Sequence, residues 1–82
     1  MDNTKIALIG IIIEEKDAVE QVNNLLHTYS QYIVGRMGLP YRERNINIIS
    51  VVLDAPEGKI SALSGKLGMI KGIRVKSVQA KL

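Results

Sequence analysis

At 82 residues, the chain reads as one domain over residues 1–82, a size that buries only about 60% of its unfolded surface and gains from association. It has no cysteine, tryptophan or phenylalanine and one histidine, which excludes disulfides, thiolate metal sites and an aromatic core. The net charge of +3 is uneven: residues 1–35 carry two basic groups against five acidic, and residues 36–82 carry nine against three. Such a split marks an anionic partner, or else reflects solvated lysines on edge strands and helix faces.

Lys5 to Glu14 reads as the first strand, with five isoleucines around Gly10. Alternation puts Ile6, Leu8, Gly10 and Ile12 on one face and Ala7, Ile9, Ile11 and Ile13 on the other. Both faces are apolar, the pattern of a central strand covered on both sides. The run Ile6 to Ile13 is too short for a bilayer, ends in Glu14-Glu15 and has no small-residue cleavage site. A cytoplasmic protein with no membrane contact is expected.

Lys16 to Tyr29 is predicted as a helix. Ala18, Val19, Val22, Leu25, Leu26 and Tyr29 form its apolar stripe, with Glu20, Asn23, Asn24 and His27 opposite. Residues 33–39 form a second strand, weakened by Gly35 and Gly38 as suits an edge. A polar crest, Leu39 to Asn45, joins it to a third strand, Ile46 to Asp54. Asp54-Ala55-Pro56-Glu57 reads as a helix start. The second helix carries Ile60, Leu63 and Leu67 on one stripe and stops near Gly68. Its Gly58 and Gly65 make it depend on packing. Lys71-Gly72 is a turn, and Ile73 to Gln79 is a last, edge strand with Ile73 and Val75 inward.

The order βαββαβ with short connections predicts an α+β, ferredoxin-like fold. Its four-stranded antiparallel sheet takes the order 4-1-3-2, with both helices on one face. Strands one and three are central. The face without helices then presents either the 6/8/12 set or the 7/9/11/13 set, a patch that soluble proteins seldom leave exposed. A homodimer or homotetramer through the open sheet face and an edge strand is expected.

Few residues suggest chemistry. His27 is alone on a polar helix face, so no metal site is expected within one chain. Glu14 and Glu15 are strand neighbours that point to opposite faces and do not converge for acid–base work. No nucleophile–base pair, Walker loop or dinucleotide fingerprint is present, and no cofactor or catalytic residue is expected. The central strands lack the stacking aromatics of a sheet-surface RNA binder. What remains is the hairpin, where Gly35, Arg36, Gly38, Tyr41, Arg42 and Arg44 form a candidate anion site. Arginine forks carboxylate and phosphate, and glycine permits close backbone approach. The bland alternative is a solvated tip with Arg42, Glu43 and Arg44 pairing locally.

GRMGLPYRER at 35–44, NIISVVLD at 47–54 and ISALSGKLGMIKGIRVKS at 60–77 resemble the small family of iron-only hydrogenase system regulators. The resemblance runs from about Ile6 to Ser77. It implies a ferredoxin-like domain similar to ACT domains and to the C-terminal domain of the nickel-responsive repressor. It also implies oligomers and a regulatory role. Two departures matter. ACT domains that bind amino acids usually place a Pro-Gly-type turn after the first strand, where this chain has Glu14-Glu15-Lys16-Asp17-Ala18. The nickel repressor domain uses several histidines and a cysteine, and one histidine without cysteine excludes nickel sensing by those ligands.

The expected function is therefore an oligomeric regulatory domain, not an enzyme, that senses a small acidic ligand or binds a partner protein. The expected site lies where the hairpin of one subunit meets another. The alternative is direct binding of DNA or other nucleic acid by the oligomer through the basic hairpin, since no attached DNA-binding unit is recognised.

Overall fold

The β-branched first strand decides the architecture. In the computed structural model, which describes residues 3–82 and leaves Met1 and Asp2 outside, β1 runs Thr4–Ile13 and pairs on both sides. The other elements are α1 (Ala18–Thr28), β2 (Ile33–Tyr41), β3 (Ile46–Pro56), α2 (Glu57–Gly68) and β4 (Ile73–Ala80). The sheet order is β2-β3-β1-β4 with every neighbour antiparallel, the expected 4-1-3-2 read from the other edge.

Alternation along β1 divides the molecule. Ala7, Ile9, Ile11 and Ile13 are buried and join Ile49, Val51, Leu53 and Ala55 of β3 in one apolar cluster. The helices supply the rest of that cluster. Ala18, Val22, Leu26 and Tyr29 come from the α1 side, and Ile60, Leu63 and Leu67 from α2. Both helices thus cover the 7/9/11/13 face. The opposite face has no helix, and there Leu8, Ile12, Met37, Leu39, Tyr41 and Val78 remain between 39% and 68% exposed.

Several boundaries differ from expectation. The first helix begins at Ala18 rather than Lys16, because Ala18 and Val19 donate to the carbonyls of Glu15 and Lys16 in a tight turn instead. It ends at Thr28. The Tyr29 N–H is shared between the carbonyls of Leu25 and Leu26, and the chain tightens into a 3₁₀ turn at Ser30–Tyr32. β2 continues through Pro40 to Tyr41, since an edge strand is paired on one side only and tolerates proline. The crest shortens to a 3₁₀ turn, Arg42–Arg44, closed by Asn45 at φ 56°. β3 likewise extends past Asp54, with buried Ala55 continuing the core and α2 starting at Glu57.

At one end of the sheet the two turns touch. The Gly72 carbonyl accepts from the Glu14 N–H at 2.8 Å and the Glu15 N–H at 3.3 Å. Gly72 itself has φ +89°, and a Cβ there would meet Glu15 side-chain carbons at 2.8 Å. Lys66 Nζ donates to the Tyr29 hydroxyl at 3.1 Å, which ties α2 to the end of α1. Among the described residues no helix is long and apolar enough to cross a membrane.

Candidate functional site

Within one chain the six hairpin residues fall on two sides of β2 and in the turn that follows it. Successive residues of a strand face opposite sides, so Gly35 and Tyr41 share the open face with Met37 and Leu39. Arg36 and Gly38 face the helices. The register fixes this: Gly35 pairs with Val52 and Tyr41 with Ile46, whereas Arg36 pairs with Val51 and Gly38 with Ile49. A bulge at Val34, between Ile33 and Gly35, sets that phase. Arg42 and Arg44, in the 3₁₀ turn, line different cavities.

Each arginine has its own surroundings. Arg36 Nη2 donates to Asn23 Oδ1 of α1 at 2.7 Å. Around this pair lies a cleft of about 300 Å³ between α1 and the β2–β3 edge, lined by Ile13, Val19, Asn23, Arg36, Gly38, Pro40, Asn47 and Ile49 among others. Arg42 lines an adjoining cavity of about 300 Å³ with Glu14, Lys16, Asn45 and Asn47. Arg44 lies at the end of the open face beside Ile12, Glu14, Ile46 and Arg74, around a depression of about 350 Å³. Tyr41 donates its hydroxyl to Glu43 Oε1 at 3.0 Å. The local pairing expected at the tip thus uses Tyr41 rather than an arginine.

Sequence reasoning passed over two members of the cleft. Asn23 was placed on the solvated face of α1, but it reaches Arg36 because the edge strand passes beneath it. Asn47 is the polar break in the inward set 47/49/51/53 of β3, and that break was a usable signal. The two glutamates after β1 separate, as expected. Glu14 Oε1 accepts from Arg74 Nε at 3.2 Å, and the Glu15 side chain lies against Gly72. His27 is exposed in the last turn of α1, and the described residues hold no cluster of three or more His, Cys, Asp or Glu suited to a metal.

A βαββαβ sheet of this order with both helices on one face is a ferredoxin-like, ACT-like fold. Residues 5–77 match the TM1266-like family, described as "Iron-only hydrogenase system regulator, putative", and the chain belongs to it. The solved structure of uncharacterized protein TM1266 from Thermotoga maritima is 44% identical, covers 95% of this chain and 99% of its own, and superposes with a TM-score of 0.90. The ACT domain from GTP pyrophosphokinase of Chlorobium tepidum follows at 18% identity and a TM-score of 0.76, over 89% of this chain and 96% of that one. The C-terminal domain of the MgtC protein from Mycobacterium tuberculosis is similar at 12% identity and a TM-score of 0.75, over 98% and 92%. The last two show the fold alone. No curated protein matches the chain.

Proposed function

We propose that this member of the iron-only hydrogenase system regulator family is a non-catalytic regulatory domain. It works as a homo-oligomer built through its open sheet face and responds to a small acidic ligand. The observation that carries this reading is the uncovered face itself. Ile6, Leu8 and Ile12 of β1 lie beside Met37 and Leu39 of β2, Ile48 and Val52 of β3 and Val78 of β4. Exposed apolar patches of this kind mark interaction surfaces. The side chains are partly covered already, so completing the burial of each stabilises an assembly by roughly 1 kcal/mol. A second copy supplies a matching apolar surface at no cost in specificity, and two-fold pairing is the commonest arrangement.

The test is mass in solution. At micromolar concentration the wild type is expected to run as a dimer or larger, and Leu8→Glu as a monomer with an intact far-UV spectrum. Leu8 is half exposed and outside the core cluster, so the substitution leaves the fold alone. A wild type of 9.0 kDa by light scattering would remove the reading. Direct nucleic-acid binding has less support: Arg74 is paired with Glu14, and Arg36, Arg42 and Arg44 line three separate cavities rather than one track.

A further inference from the structure

We infer that the cleft between α1 and β2 binds a short aliphatic carboxylate that carries an oxygen, and no amino group, beside its carboxyl: a 2-oxo acid. The inference rests on the ligand-sensing reading above and assigns it a place and a chemical class.

Charge comes first. Arg36 spends one N–H on Asn23 Oδ1, which holds the guanidinium at the cleft while its remaining donors stay available. The ion pairs among the described residues are Lys5–Glu57 and Arg74–Glu14, and Arg36 belongs to neither. An arginine fixed in place with an unused fork is suited to a carboxylate, which it meets at two points.

Shape and polarity narrow the rest. The cleft wall beneath Arg36 is aliphatic, with Ile13 and Ile49 buried and Val19 and Pro40 beside them. Gly38 leaves the middle open, since a Cβ built there would meet nothing within 4 Å. A volume of about 300 Å³ stands at the low end for small-ligand sites. Asn47 adds an amide on the same wall with no hydrogen-bond partner among the described residues. It can donate to an oxygen next to the carboxylate.

The absence of an acid from the lining sets the selectivity. Among the described residues no Asp or Glu lines this cleft. Glu14 lines the adjoining cavity and is held by Arg74. The amide oxygen of Asn23 is already committed to Arg36. An α-ammonium group would therefore enter beside the Arg36 guanidinium with no counter-charge, and like charges repel. The 2-oxo acid avoids that cost where the matching amino acid does not.

The experiment is calorimetric titration of the purified protein with 4-methyl-2-oxopentanoate and with leucine. Saturable binding of the oxo acid is expected, with leucine weaker by about tenfold or more. Arg36→Ala should weaken the oxo acid by a similar factor while keeping the oligomer mass. Gly38→Val fills the cleft on a strand that favours valine, so it should abolish binding without lowering the melting temperature. Unchanged affinity in either variant, or equal affinity for leucine, overturns the proposal. Arg36-dependent binding of inorganic phosphate alone overturns the ligand class and leaves anion sensing standing. No response to any of the three probes overturns both.

Discussion

Gly72 is the residue whose identity the backbone most strictly demands. Its φ of +89° and the Glu15 carbons in the space of a Cβ both reject a side chain. Gly72→Ala is expected to destabilise the protein by about 1–3 kcal/mol, read as a lower midpoint in urea at an unchanged slope. The need was half visible in the sequence, where Lys71-Gly72 stands between two periodic segments as a turn. What the turn touches was not visible, because Glu15 is 57 positions away along the chain. The cleft residues repeat the lesson. Arg36 and Gly38 could be singled out by type, but Asn23 and Asn47 join them through strand register and helix placement, which are tertiary facts. Grouping Arg36 with Tyr41 overlooked that positions of opposite parity on one strand look away from each other.

Among the elements, α2 is the one with a removable flaw. Its stripe Ile60, Leu63 and Leu67 is fully buried, as the spacing predicts. Next to Leu63, Ser64 Oγ is buried without a hydrogen-bond partner among the described residues. Replacing Ser64 with alanine removes an unsatisfied hydroxyl and adds helix propensity. Ser64→Ala is expected to raise stability by roughly 1 kcal/mol, measured as a higher midpoint of thermal or urea unfolding. Element identity was legible throughout, because period-2 isoleucine in β1 and 3.6-period aliphatics in α1 leave little choice. The ends were less so. Asp17 looks like a first-turn residue but sits at the cap position without a side-chain capping bond. Pro40 looks like a strand terminator but rides on an edge.

The whole molecule is a two-layer structure, sheet and helices, whose second sheet face has no cover among the described residues. Its apolar sheet surface is balanced in sequence between the two sides of β1, and only one side receives helices. If a second copy completes the other side, stability becomes inseparable from association. The melting temperature should then rise with protein concentration across the range where light scattering detects assembly, and Leu8→Glu should abolish that dependence. A melting temperature independent of concentration in the wild type would assign the patch to a different partner. The sequence could announce that one face lacks a cover, but not which set of isoleucines it would be. That choice depends on the hand of two crossover connections, and it fell to 6/8/12.

Strand β2 stands between these two sides and belongs to both. Residues 36 and 38 border the cleft, residue 37 the apolar face and residue 39 both, and they share one continuous backbone. As an edge strand it is tethered along a single side, to β3, as β4 is to β1. A peptide ribbon cannot shift Arg36 toward a ligand without carrying Met37 and Leu39 with it. If the cleft takes a ligand and the open face a second copy, occupancy and assembly meet on these four residues. Whatever free energy separates ligand affinity in the single and paired forms must reappear, unchanged in size, as a change in the strength of pairing.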